Sequence, residues 1–303
     1  MVNRPKKDLI EIFGYAPDDT SLPCRSLWKL SACPFINKQC TKSNHDGSIV
    51  YGTCSVSSAW GDCIVCPNRL YENKYAALKK ISDEAFGKET TFLMYENFIP
   101  LRNQLPVCVV ALGQNSGKEV KVGRKLSMDW ILAKIENGQL TEYVGVEVQS
   151  IDITGNYRDN WHGYRHFSSD TLKIPSSEHG LNWANVHKRL IPQIIRKSVI
   201  YSKSSLVKYG MYFVVPDIVY KKFEEVIGKD IPMLDHSAKD VITIHTYGLS
   251  PTVAHGQQRQ LIFSRCLRFS LEEFSQRFIS GPNLPSGEEL DGAVMRVLGI
   301  QAV

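Results

Sequence analysis

Two acids and a glutamine carry the first chemical signal in this sequence. Asp129 opens the apolar run MDWILAKI, and Glu147-Val148-Gln149 lies inside a second run, GVEVQSID. Between the two runs stands Asn137-Gly138, a dipeptide that favours a tight β-hairpin. Folding the chain at that turn brings Asp129 and Glu147 face to face, each about nine positions away along a two-residue-period strand. Glu147 and Gln149 are two apart and share one face of their strand. Two converging carboxylates with a polar neighbour make an oxygen-ligand site suited to Mg²⁺. Acids on the wet face of a strand are the ordinary alternative. Glu147, however, sits among Val144, Val146 and Val148, and a buried carboxylate needs a partner or a metal.

The thiols form the second signal. Of eight cysteines, six fall in one segment: Cys24, Cys33, Cys40, Cys54, Cys63 and Cys66. Clustered thiols in a chain without a secretory signal more often hold a metal than form disulfides. The segment runs CPFINKQC, then Gly52-Thr53-Cys54, then CIVCP. The intervals Cys33-x6-Cys40, x13 to Cys54 and x11 to Cys66 differ from the paired C-x2-C of a zinc ribbon. Four thiolates around one soft or borderline ion would staple a segment too short and polar to hold itself by burial. With six thiols for four places, spacing alone leaves the ligands and the metal open. Cys63-Ile64-Val65-Cys66 also has redox spacing, but Pro67 places the helix start after Cys66, whereas a thioredoxin-type motif wants it at the first cysteine. Cys108 and Cys266, isolated in VCVVALG and FSRCLRF, read as small buried hydrophobes.

These residues need elements to hold them. Pro67 and the spacing of Leu70, Tyr71, Leu78, Ile81 and Ala85 predict a helix over 67–86, ended at Gly87. Strands are expected at 91–95, 106–112 and 127–135, the last turning at Asn137-Gly138 into a strand over 140–151. Residues 152–180 are polar and turn-rich and read as a long loop. Helical spacing returns over 181–203, with a break at Pro192. Strands at 209–215, 241–247 and 260–269 alternate with helices at 216–227, after the Ser270 cap, and over 286–298. The order predicts a mixed α/β arrangement around a central sheet.

Composition excludes several classes. The 303 residues are 43% hydrophobic and 22% charged, which rules out disorder and collagen-like character. No apolar run approaches the roughly 18–20 residues that cross a bilayer. The start, MVNRPKKDLI, has basic residues with no apolar stretch behind them, so a soluble, cytoplasmic chain is expected. The net charge is +5, and residues 180–222 carry eight Lys or Arg against one acid, Asp217. Such a stretch suits either a phosphate-binding surface or solvated helix faces.

Taken together, the motifs point to a family. An Asp, a hairpin and Glu147-Val148-Gln149 resemble the PD-(D/E)XK nuclease fold, with Gln149 where lysine is commoner. CPFINKQC, GTCSV and CP followed by GVEVQSIDITGNYR are similar to the NotI-type restriction endonucleases. The motif resemblance covers residues 30–165. It implies an α/β restriction-endonuclease-like core, a mixed central sheet flanked by helices, preceded by an N-terminal four-cysteine metal-binding segment. In that layout residues 1–66 form the cysteine-bearing region and 67–303 the nuclease core with its DNA-binding elements. The resemblance further implies a homodimeric Type II enzyme that needs Mg²⁺, cuts a GC-rich palindrome in double-stranded DNA, and holds one iron, or zinc, per chain. Carried over residue by residue, the structural metal falls to Cys33, Cys40, Cys54 and Cys66, leaving Cys24 and Cys63 as free thiols. The catalytic positions fall to Asp129, Glu147 and Gln149, with Asp129 and Glu147 as Mg²⁺ ligands. Ser127-Met128-Asp129 departs from the family's nuclease motif in lacking its proline.

Guanine readout calls for donors to O6 and N7, most often from Arg or Lys. Residues 154–165, with Arg158 and Arg165 among Asn, His and aromatic side chains, and the stretch His255-Gly256-Gln257-Gln258-Arg259 are the candidates. The competing class is a non-catalytic, metal-stapled DNA-binding protein. Mg²⁺-dependent cleavage separates the two.

Overall fold

The computed structural model describes residues 6–122, 126–167 and 173–299. The N-terminal part is held by a small antiparallel sheet. Strand β1 (Leu9–Ile12) pairs with β2 (Thr53–Ser58), which turns back into β3 (Gly61–Ile64). Between β1 and β2 runs helix α1 (Leu22–Leu30), which has proline in its first turn and stops at a left-handed Ser31. The chain then folds Ala32–Cys33 against Lys38–Gln39 around Asn37, whose φ of 50° closes the tight loop.

After Cys66 the expected helix arrives in two pieces. A 3₁₀ turn covers Pro67–Tyr71, and helix α2 (Glu72–Phe86) follows, ending at Gly87 with φ 91°. The strand β4 (Thr91–Met94) and β5 (Val107–Gly113) come next. A small pair, β6 (Val120–Val122) with β7 (Leu126–Met128), leads to the main hairpin of β8 (Trp130–Glu136) and β9 (Gln139–Val148). The expected strand over 127–135 is therefore bent at Asp129, where β7 leaves one sheet and β8 joins another. Asn137 and Gly138 both have positive φ, 49° and 78°, the signature of a type I′ turn.

Helix α3 (Arg158–Arg165) interrupts the stretch expected to be a long loop, and Ile153–Thr154 pairs with Gly180–Leu181. Its polar sequence hides the helix, because the buried face is built from Asn160, Trp161 and Tyr164 rather than aliphatic residues. Asn160 is satisfied there by Asp8 and the Pro175 carbonyl, and Tyr164 donates to Asp8 at 2.6 Å. Of the expected loop, residues 168–172 lie outside the described residues. The expected helix over 181–203 starts later, as a π-helical turn at Val186–Leu190 that passes into α4 (Ile191–Ser202) with Pro192 in its first turn. The helix is continuous across the two, so Pro192 lies inside it, and the expected break takes the form of this wider turn, in which the Ile191 amide reaches back to the Val186 carbonyl. The remaining elements match the expected order: β10 (Met211–Pro216), α5 (Asp217–Ile227), β11 (Val241–Leu249), β12 (Leu261–Ser270), α6 (Leu271–Ser280) capped by Ser270, and α7 (Gly287–Leu298).

The central sheet has seven strands in the order β12-β11-β10-β9-β8-β5-β4. Pairs β9/β10, β10/β11 and β4/β5 are parallel; the others are antiparallel. Alternation along the strands splits the core in two. Trp130, Leu132, Val146, Val148 and Val214 pack with Leu78, Ile81 and Ala85 of α2. Ile131, Ala133, Phe213, Val215 and Ile244 pack with Ile194, Tyr201, Val219 and Phe274 of α4, α5 and α6. Leu9, Ile12, Trp28 and Val56 from the N-terminal part belong to this second cluster. Among the described residues, no helix is long and apolar enough to cross a membrane.

One buried cation ties the N-terminal sheet to α2. Arg69, in the 3₁₀ turn, is fully buried and bonds Glu11 of β1 at 3.1–3.3 Å and Glu72 of α2 at 2.5 Å. It also donates to the Arg259 carbonyl at 2.6 Å and lies 4.7 Å over the Phe35 ring. Removing one partner of a buried charge cluster strands the other charges. Arg69→Ala should therefore cost about 3–5 kcal/mol of unfolding free energy, measured by urea denaturation. A loss below 1 kcal/mol, as for an exposed pair, would reject this role.

Candidate active site

Asp129 and Glu147 meet because of a one-residue irregularity in the hairpin. Beside the turn, Glu136 faces Gln139 and Ile135 faces Leu140, but Lys134 then faces Glu142. Thr141 is the extra residue, a β-bulge. Beyond it Trp130 faces Val146, so Asp129 and Glu147 form the next pair. Without the bulge, Asp129 would face Val146 and Glu147 would be out of step with it.

The pairing brings the three expected site residues together. The Asp129 amide donates to Glu147 Oε1 at 3.3 Å. Asp129 Oδ2 accepts from the Val148 amide and from Gln149 Nε2, both at 3.1 Å. Gly113, at the end of β5, lets this bend sit close: a Cβ there would lie 2.6 Å from the Asp129 carbonyl oxygen. Asp129, Gln149, Tyr71, Asn68, Ser127 and Glu119 line a cleft of about 200 Å³. Its wall is braced by the Trp130 indole N–H, which donates to the Tyr71 hydroxyl at 2.9 Å.

Glu147 lies on β9, flanked by β8 and β10, and is only 3% exposed. Its Oε2 accepts from Lys197 of α4, itself 7% exposed. Sequence reasoning missed this lysine, although Leu190, Ile194, Lys197 and Tyr201 follow the spacing of one buried helix face. Gly145 explains how α4 comes so near: a Cβ there would lie 2.0 Å from the Tyr201 ring. Gly145 and Glu147 share a strand face, Tyr201 and Lys197 share a helix face, and the two faces dock. Burial and the Asp129 charge push the Glu147 carboxyl up to about 8, with Lys197 acting in the opposite direction. The second missed residue is Glu119, a cleft-wall carboxylate that accepts from Ser127.

Burial pushes up all four thiols that the motif resemblance assigns to a metal, Cys33, Cys40, Cys54 and Cys66. An ionised Cys66 raises the thiol pKa of Cys33 and Cys40, and Cys33, Cys40 and Cys66 all raise that of Cys54. These influences place the four thiols in one region of the fold, but no three of their sulfurs lie within 4.8 Å of one another. Backbone groups of Phe35 and Ile36 act in the opposite direction on Cys33, those of Lys42 on Cys40 and those of Asn68 and Arg69 on Cys66, without overcoming burial. Cys24 responds instead to burial and Asp19, and Cys63 to burial and Asp62.

The three arginines proposed as DNA readers have different surroundings. Arg158 and Arg165 are exposed at opposite ends of α3. Arg165 lies 5.4 Å over Trp28. The Arg259 guanidinium is engaged internally, by Asp62 at 2.5 Å and the Ser250 carbonyl at 2.6 Å. Its charge serves to fasten the loop before β12 to β3.

Comparison with known proteins gives one result for this arrangement. Residues 24–226 match the family model described as restriction endonuclease NotI. That span includes the four coupled cysteines, Asp129, Glu147, Gln149 and Lys197. No curated protein matches the chain.

The Glu147 environment has a consequence for stability without divalent metal. Its carboxyl titrates at 4.5 when unperturbed and near 8 in the fold, so the folded chain holds a proton that the unfolded chain releases. This contribution is complete below 4.5 and is lost as the pH rises to about 8. Thermal melts in chelator should show wild type losing ground to Glu147→Gln across that window. A pH-independent difference between the two proteins would reject it.

Proposed function

The chain belongs to the NotI restriction endonuclease family and is a Type II site-specific deoxyribonuclease; on that premise we propose that it cleaves a GC-rich DNA palindrome with Mg²⁺ held between Asp129 and Glu147. The observation that carries the assignment is the meeting of those two carboxylates beside a polar cleft. The donor set fits a hard divalent ion: the two acids are close enough that Asp129 raises the Glu147 carboxyl, and one buried lysine offsets only one of their charges. When bound, such an ion polarises a phosphoryl oxygen and lowers the pKa of a coordinated water.

The residues divide the remaining work. The Val148 amide and the Gln149 side chain orient Asp129 in the cleft wall through its Oδ2. Lys197 fixes one oxygen of Glu147. Gln149 holds no charge and cannot act as a base; it positions. The core is read as a PD-(D/E)XK-type nuclease in which the lysine expected at position 149 is absent and a lysine reaches the same carboxylate from α4. Arg158 and Arg165 are assigned to DNA contact, whereas the internal bonds of Arg259 favour a structural role.

Glu147→Ala should abolish plasmid cleavage, with DNA affinity retained in gel-shift assays, because it removes a metal ligand and no phosphate contact. Lys197→Ala should cost about 10–100-fold in cleavage, as loss of a residue that orients a ligand does. Cleavage by Glu147→Ala near the wild-type rate would overturn the site. Mg²⁺-independent binding with no cleavage by wild type would favour the non-catalytic DNA-binding reading.

Cys33, Cys40, Cys54 and Cys66 are proposed to hold a single structural iron or zinc, for which four thiolates form a closed tetrahedral set. Elemental analysis should find about one such atom per chain; its absence from folded, active protein would reject the assignment. The resemblance to the family supports a symmetric dimer acting on CGGCCG, or on the longer GCGGCCGC, within the cytoplasm. Two-fold symmetry in the protein would match that of the site and cut both strands. Sequenced fragment ends outside any GC-rich palindrome, or nicks from a stable monomer, would reject this part.

A further inference from the structure

On the sheet face opposite Glu147, three donors of different kinds converge. His245 of β11 lies in register with Val214 and, through it, with Val148, and so faces α2. Cys266 of β12 is its direct cross-strand partner. Glu84 reaches the pair from α2. One ligand atom from each of the three lies within 4.8 Å of the other two. We propose that Glu84, His245 and Cys266 form a transition-metal site for an ion of the Zn²⁺ class, fastening α2 to β11 and β12.

The imidazole makes the strongest case. His245 is fully buried between the Tyr212 and Phe263 rings, and neither ring nitrogen has a hydrogen-bond partner. An unsatisfied buried imidazole is costly, and a metal removes that cost at the ligating nitrogen. Its Nε2 is 3.1 Å from Glu84 Oε2; burial would raise that carboxyl, yet this contact and Arg268 hold it down at about 2. Two ligands about 2.0 Å from one tetrahedral ion stand about 3.3 Å apart, so the spacing suits a shared ion. The other Glu84 oxygen, Oε1, accepts from Arg268, which orients the carboxylate as an outer partner does.

The donor set selects the ion. Imidazole, thiolate and carboxylate together suit Zn²⁺ and Co²⁺, not Mg²⁺ or Ca²⁺. Burial and the Glu84 charge raise the Cys266 thiol, while Arg268 and Lys80 act in the opposite direction. An ion between them replaces the thiolate–carboxylate repulsion with attraction to both. Cys266 is thus not the inert buried hydrophobe that its sequence context suggests. A plain His245–Glu84 ion pair would not use Cys266, and it is the outcome the test must separate.

Co²⁺ titrated into the full-length protein provides that test, with wild type run beside Cys266→Ser, Glu84→Gln and Cys63→Ser. The four-cysteine cluster is common to all four proteins, so difference spectra report this site alone. Wild type and Cys63→Ser should show a thiolate-to-cobalt absorption that Cys266→Ser lacks, with about tenfold or greater weakening of Co²⁺ uptake in Glu84→Gln. Zn²⁺ should also raise the Tm of wild type and not that of Cys266→Ser. Cys266 is half-exposed and Glu84 lies at the surface end of the cluster, so at least one variant keeps the fold. Equal Co²⁺ uptake and spectra in wild type, Cys266→Ser and Glu84→Gln would leave only an ion pair and overturn the site.

Discussion

A carboxylate buried on a central β-strand is the constraint around which this molecule is arranged. Glu147 cannot be ionised there without compensation, and each neighbour answers that requirement. Gly145 removes a side chain so that α4 can close on the sheet, which delivers Lys197 to one oxygen. The bend at Asp129 brings an amide to the other oxygen and a second acid beside it. The competing pulls of burial, Asp129 and Lys197 leave a site whose charge is unresolved by the protein alone. A divalent ion is the partner proposed to resolve it.

The cysteine segment and the cleft are joined by a very short piece of chain. Cys66 belongs to the coupled thiols, Arg69 is the buried cation that gathers Glu11, Glu72 and Phe35, and Tyr71 braces Trp130 beside Asp129. A single 3₁₀ turn therefore carries three separate tasks. Moving the cysteine cluster relative to the sheet would disturb Arg69 first and the cleft wall next. The cysteine-bearing segment and the cleft differ in chemistry, yet both depend on this turn.

The sequence made the hairpin and the meeting of the two acids legible because each rests on local rules. Asn-Gly marks a turn and period-two alternation marks a strand, whereas six thiols for four places could be sorted only by resemblance to the family. What it left unread came from tertiary contact. Lys197 belongs to a helix whose apolar stripe was visible, but only docking against Gly145 gives the lysine a carboxylate to meet. Helix α3 was hidden because Asn160 fills a core position and is satisfied by Asp8 and a distant carbonyl. Arg259 looked like a free basic residue in a polar loop, and its partners, Asp62 and Ser250, are fixed only by the fold. His245 and Cys266 sit in separate apolar strands, and nothing local indicates that they lie opposite each other.

The bulge at Thr141 bears on how the protein can vary. Exposed hairpin tips are ordinarily the most permissive parts of a fold, open to insertion and deletion. Here the length of the tip acts as a gear tooth between turn and active site: losing the extra residue rotates every downstream position of β9 by half a period. The Glu147 carboxylate would then enter the hydrophobic layer beneath α2, and Val146 or Val148 would take its place before Lys197. Asn137 and Gly138, whose positive φ the turn needs, are constrained in kind, and the rest of the tip is constrained in length.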